Sequence, residues 1–222
     1  MLVEARGLCK FFGVKPVFRK LDFHVDQGQV LLVLGENGSG KSTLLRILAG
    51  LLQPSAGRLY VGAESGEIGY VGHQPYIYPG LSAWQNLRFW SRLHGFSPDG
   101  GRIEEILVRF GLERVRHEPV AFFSRGMLQR LNLARALLLG PRVYLLDEPS
   151  TGLDRRSRDA LHGEIQKLRE SGCAVLWVSH YPERDLPLAD RVLHLEDQLG
   201  WMDSPAFGKV APQFASPDTE PR

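Results

Sequence analysis

The apolar positions of the chain change period several times, and each change marks an element. Up to residue 34, short β-rich runs (LVEARGL, VFRKLDFHV, QVLLVLG) alternate with turn signals such as DQG. The last of these is apolar without interruption from Val30 to Leu34, the pattern of a strand buried on both faces. A glycine-rich loop follows, then a helical pattern from Lys41 to about Leu51. GRLYV and EIGYV read as short strands. From about Tyr76 to Leu139 the period is helical. SAWQNLRFWSRLHG and GRIEEILVRFGL are amphipathic and are parted by the loop FSPDGG. In FFSRGMLQRLNLARALLL, residues 122–139, the spacing of Leu131, Ala134, Leu137 and Leu138 predicts a helix from Leu128 onward. Ser124 stands at its N-cap position, and Arg130 and Arg135 fall on the more polar side. Strand–helix alternation then resumes with RVYLLDEP, a helix over 155–170, AVLWVSH and two short strands near 191–202. The expectation is an α/β core with an inserted helical subdomain at about 76–139. Residues 1–203 form this domain. Residues 204–222, with four prolines and little apolar periodicity, read as an extended or disordered tail.

Composition narrows the function classes. At 222 residues the chain suits one domain with a full core. The 27 basic and 25 acidic residues leave a net charge of +2, too balanced to indicate a nucleic-acid partner. Cys9 and Cys173 lie far apart without CxxC spacing, and they read as two free thiols in a reducing compartment. No run of about 18 apolar residues is present, and the N-terminus lacks the features of a signal peptide. The chain is expected to be soluble and able to dock on a membrane partner.

Two motifs carry chemistry. GENGSGKST, Gly35 to Thr43, matches G-x-x-x-x-G-K-[ST] between a buried strand and a helix, the context that a phosphate-binding P-loop requires. Gly35, Gly38 and Gly40 let the backbone N–H groups of the loop, with Glu36, Asn37 and Ser39, curl around phosphates at a helix N-terminus. Lys41 would reach the β- and γ-phosphates, Ser42 would ligate Mg²⁺, and Thr43 would contact the α-phosphate. In VYLLDEPS an apolar strand delivers Asp147 and Glu148 at its C-terminal end, where open α/β sheets place ligands. Asp147 can hold Mg²⁺ through water, and Glu148 can orient or deprotonate an attacking water.

With both motifs in place, the sequence resembles the ATP-binding subunits of ABC transporters over roughly residues 2–200. Besides Walker A and Walker B, GHQP matches the Q-loop with Gln74 at its glutamine. STGLD matches the D-loop with Asp154 at its aspartate, and His180 of LWVSH matches the switch histidine. LCKFFG looks like the A-loop, which puts Phe12 where an aromatic ring stacks on adenine. SRGM, aligned through QRLNLARALL, reads Ser124, Arg125, Gly126 and Met127 against the last four residues of the LSGGQ signature. Arg125 and Met127 depart from the consensus: one adds a cation, and the other cannot make the glutamine's polar contacts.

The resemblance implies a P-loop NTPase core with a RecA-like mixed sheet, an antiparallel β subdomain and the helical insertion. It also implies a head-to-tail homodimer with two ATP molecules, each on one subunit's P-loop and capped by the other's signature helix. Mg²⁺ would be held by Ser42, Gln74 and Asp147. Separate integral membrane subunits are implied, with this chain at the inner face of the cell membrane.

Within the family, residues 70–95 (YVGHQPYIYPGLSAWQNLRFWSRLHG) resemble the ATPases of haem exporters used in bacterial cytochrome c maturation. Drug, lipid and polysaccharide exporters share much of this stretch. Soluble non-transport ABC ATPases carry two fused domains or a long coiled coil between Walker A and the signature. Here Lys41 and Asp147 lie 106 positions apart, which leaves no room for a coiled coil.

Overall fold

The computed structural model describes residues 1–95, 100–196 and 199–203. The tail expected at 204–222 lies outside the described residues, as does most of the FSPDGG loop. Among the described residues, two sheets and six α-helices follow in chain order. Strands β1 (Val3–Phe12), β2 (Lys15–Val25) and β4 (Ala56–Val61) form an antiparallel sheet in the order β2-β1-β4. The second sheet has the order β5-β6-β7-β3-β8-β9. It uses β3 (Val30–Leu34), β5 (Ile68–Val71), β6 (Val143–Asp147), β7 (Ala174–Val178), β8 (Arg191–Glu196) and β9 (Leu199–Asp203). Its strands run parallel except for β9, which pairs antiparallel with β8.

Strand alternation divides the core in two. Val30, Leu32, Leu34, Tyr144, Leu146, Val175 and Trp177 face one hydrophobic cluster. Their neighbours Leu31, Val33, Val143, Leu145, Leu176 and Val178 face the other. All five residues of β3, β6 and β7 are buried, which explains their apolar sequence, broken only by Asp147 at the end of β6. The first cluster is covered by helices α2 (Ala83–Leu93), α3 (Gly100–Arg109), α4 (Arg125–Leu139) and α5 (Arg155–Glu170). The second lies under α1 (Lys41–Leu48) and the antiparallel sheet. Each fully buried Leu or Val here contributes roughly 1.5–3 kcal/mol relative to exposure.

Several boundaries differ from the sequence expectation, each for a local reason. Helix α1 ends at Leu48 rather than Leu51. Gly50 takes a left-handed φ of 72°, its N–H donates to Ile47 O, and Leu51 N–H returns to Arg46 O at 2.9 Å. Helix α4 begins at Arg125, three residues before the apolar periodicity, because Ser124 caps it. Arg135 is not on a polar face: it is 6% exposed. Its guanidinium donates to Tyr70 O at 2.9 Å and to Asn132 Oδ1, between the rings of Tyr76 and Trp90. Burial lowers its pKa to about 10. One short helix, α6 (Pro182–Asp185), escaped the apolar pattern altogether.

Candidate functional site

The P-loop joins β3 to α1 with no side chain capping the helix. Gly40, at φ 101°, closes the turn, and a Cβ there would meet Val17 Cγ1 at 2.6 Å. The first-turn amides are thus open to a ligand, and the helix dipole favours an anion there. Glu36, Asn37 and Gly38 are exposed at the loop tip, and Thr43 is half-buried. Ser39 Oγ is buried with no hydrogen-bond partner among the described residues, a donor suited to a phosphate oxygen. Lys41 is 6% exposed and donates to Gly35 O and Glu36 O, both at 2.7 Å. Burial lowers its pKa, against the opposing pull of Glu148 and Asp147.

Strand β6 ends in the acidic pair. Asp147 is 3% exposed and accepts from Ser42 Oγ at 3.1 Å, so the P-loop hydroxyl and the carboxylate share one spot. Burial raises the pKa of Asp147 despite that hydrogen bond; Glu148 adds to the rise, while His73 and Lys41 oppose it. A hydroxyl, a buried carboxylate and the nearby Gln74 amide make an all-oxygen donor set that fits a hard cation such as Mg²⁺. Mg²⁺ bound through one or two protein oxygens keeps several waters and takes substrate oxygens as further ligands.

Glu148 has a left-handed φ of 53°, a conformation that costs a non-glycine residue roughly 1–3 kcal/mol. The conformation persists because its surroundings over-determine it. Its N–H donates to Val178 O at 3.1 Å, and its carbonyl accepts from Thr151 N–H at 3.1 Å. The side chain then turns to His180, whose Nε2 lies 2.6 Å from Glu148 Oε1, while Thr151 Oγ1 donates to Oε2 at 3.3 Å. Asp147, Glu148 and Thr151 line a cleft of about 390 Å³ together with His73, Gln74, Arg125 and other residues.

The N-terminus of α4 closes that cleft from the helical side. Ser124 Oγ accepts from Met127 N–H at 3.2 Å, and Ser124 and Arg125 are exposed. A Cβ on Gly126 would lie 3.0 Å from Gly152 O, and the Arg125 side chain lies along Gly152. Gln129 Nε2 donates to Pro149 O at 2.9 Å, a second tie between α4 and the 149–154 segment. Met127 packs its side chain against the helical core, in place of the polar contacts of a glutamine.

Most of the sequence-derived site residues therefore converge, Arg125 among them on the shared cleft, while Phe12 and Asp154 stand apart. Among the described residues, Ser124, Arg125, Gly126 and Met127 make no hydrogen bond or ion pair with Gly35–Thr43. Phe12 is 55% exposed at the end of β1, with Lys10 Nζ 5.0 Å from its ring centroid. Asp154 caps α5, accepting from Ser157 N–H at 2.7 Å, and hydrogen bonding from the Ser157 hydroxyl first and its N–H second lowers its pKa.

Sequence reasoning missed Asn86, which is fully buried and clamps the Gln74 loop. Its side-chain amide accepts from Tyr78 N–H at 2.8 Å and donates to Tyr78 O at 3.0 Å. A buried polar residue amid the α2 apolar stripe was the available signal.

The ABC transporter family profile covers residues 18–151. The cytochrome c biogenesis ATP-binding export protein CcmA 2 of Cupriavidus metallidurans is 37% identical over 90% of this chain and 97% of its own length. The uncharacterized ABC transporter ATP-binding protein YdbJ of Bacillus subtilis is 33% identical over 88% of this chain, which spans 66% of that relative's length. Relatives named for aliphatic sulfonate import, linearmycin resistance and daunorubicin resistance match at 31–38% identity. A solved ATP-binding subunit of an ABC transporter superposes with a TM-score of 0.86 at 27% identity, covering 92% of this chain and 90% of that one. The fold, the family profile and the phosphate-site architecture agree: the chain belongs to the ABC transporter family as an ATP-binding subunit, an ATPase domain.

Proposed function

We propose that this chain powers export across the cytoplasmic membrane by hydrolysing ATP as a head-to-tail homodimer, and that the cargo is haem for cytochrome c biogenesis. The carrying observation is the meeting of Ser42, Asp147, Glu148 and His180 at the P-loop end of the parallel sheet. ATP is the substrate: its phosphates would lie on the amides of Gly38–Thr43 with Lys41 at the β- and γ-oxygens, and Phe12 would stack on adenine. Bound Mg²⁺ would supply charge neutralisation at those oxygens. Glu148 would orient the attacking water and accept its proton. His180 would hold Glu148 and the γ-phosphate in register, and Gln74 would sense the cation. Ser124 and Gly126 of one subunit would cap the nucleotide of the other, with Asp154 at the same seam. No helix among the described residues is long and apolar enough to cross a membrane. On this reading the chain works at the cytoplasmic face of the membrane, docked on separate integral membrane subunits, as the transport relatives suggest.

Support for haem comes from the residue 70–95 resemblance and from cytochrome c biogenesis relatives matched over 88–97% of their length at 37–38% identity. The competing reading, an exporter ATPase for another cargo, is favoured by the equal identity of a daunorubicin-resistance relative. Deleting the gene is expected to remove covalent haem staining of c-type cytochromes from membranes, restored by the intact chain but not by Lys41→Ala. Normal staining together with newly gained drug sensitivity would overturn the haem assignment and leave the ATPase standing.

A further inference from the structure

The loop carrying His180 is pinned by a buried network that the nucleotide reading does not use. Asp185, at the end of α6, is 2% exposed. Its Oδ2 accepts a short hydrogen bond from Ser179 Oγ, and its Oδ1 lies 2.9 Å from His162 Nε2. An ionised carboxylate only accepts, so Nε2 carries the proton in that pair. Ser179 Oγ in turn accepts from the Tyr181 N–H at 2.8 Å. Tyr181 O receives the N–H groups of Arg184 and Asp185 at 3.0 and 3.2 Å. One carboxylate thus fixes the residues on both sides of His180. The carboxylate is itself aimed by His162 from α5, whose ring packs edge-on against the fully buried Trp177 of β7 at 5.5 Å.

A buried carboxylate needs every partner it has, and an apolar residue could fill the same space without that demand. What the carboxylate adds is direction. His180 must present Nε2 to Glu148, and a misplacement of about 1 Å near reacting groups can cost on the order of 10²-fold in rate.

We infer that Asp185 is a positioning residue for the reaction: acting through Ser179, and oriented by His162, it holds His180 against Glu148. This rests on the reading that His180 serves hydrolysis. The substitutions Ser179→Ala, Asp185→Val and Asp185→Asn are made in the full chain, alone and with His180→Ala, and steady-state ATP hydrolysis is measured. Ser179→Ala and Asp185→Val are expected to lower kcat by about tenfold with KM for ATP within about twofold, since neither touches the P-loop. Asp185→Asn, which can bond both Ser179 and His162, should return kcat to within about threefold of the unsubstituted chain. In the His180→Ala background none of the three should lower the residual rate further, because the group they position is gone.

Full additivity in that background, or unchanged kcat in Ser179→Ala, overturns the inference. If Asp185→Val does not fold, Ser179→Ala, which deletes one oxygen, decides. His180→Ala turning over at the unsubstituted rate would overturn the role of His180 itself. A slowed His180→Ala whose neighbouring substitutions remain additive overturns only the positioning network.

Discussion

Helices α1 and α4 both point an N-terminus at nucleotide chemistry, and they are finished differently. The α1 terminus follows a left-handed glycine and has no side-chain cap, with a buried lysine and a buried carboxylate beside it. The α4 terminus follows an extended serine whose oxygen already serves Met127 N–H, and its first residues face solvent. An uncapped, walled end is a complete anion site within one chain. A capped, exposed end keeps little more than a hydroxyl proton and bare backbone to offer. It becomes a site only when another surface brings the anion to it. The contrast thus mirrors the division of labour in the proposed dimer, with binding in cis at α1 and closure in trans at α4.

The largest expected break in this contrast is Lys41→Ala. Phosphate release should fall by at least ~10²-fold, the scale of removing a charge from a preorganised phosphate site. Retention of a tenth of the rate would mean that the α1 terminus is not where the chemistry occurs. Ser124→Ala should be milder. It removes a helix cap, for about 1 kcal/mol of stability, and should cut turnover about tenfold while ATP binding to the isolated chain stays unchanged. A matching loss of ATP affinity would place Ser124 in the cis site and erase the distinction. Restoring the consensus with Arg125→Gly and Met127→Gln should change turnover by about threefold or less. Arg125 lies along Gly152 and Met127 is committed to the helical core, so neither departure removes a phosphate donor.

The smallest effect separates the two ends by pH. Asp147, beside α1, has its pKa raised above 3.8 by burial. A folded-state pKa above the unfolded one favours folding fully below pH 3.8, and that contribution is lost as pH rises through the raised value. At pH 8 the ionised carboxylate is therefore a cost to the protein. Asp147→Asn should raise the thermal midpoint at pH 8, by a margin that shrinks as pH falls toward 3.8, while abolishing hydrolysis. A pH-independent change would assign the effect to packing rather than to the buried charge.

The sequence was most legible where the site is contiguous. Nine residues from Gly35 to Thr43 announce the α1 terminus, and Asp147 and Glu148 follow from one apolar strand. Ser124 was readable as a cap because the N-cap preference is local. The unreadable features depend on contacts distant in sequence. Arg135 looked polar by periodicity, but Tyr76 and Trp90 enclose it. The left-handed Glu148 is held by Val178, 30 positions away, and the His162–Asp185–Ser179 network joins three elements. Local pattern names the parts, whereas tertiary contacts set their aim.

The central claim is that the α4 terminus of one subunit closes over the nucleotide held at the α1 terminus of the other. Sedimentation of Glu148→Gln, with and without ATP and Mg²⁺, tests it most directly when repeated with Ser124→Trp added. The account predicts a dimer only when ATP is present, and a monomer in ATP once the bulky side chain blocks the α4 terminus. A Glu148→Gln chain that stays monomeric with ATP, or a dimer indifferent to Ser124→Trp, would contradict it.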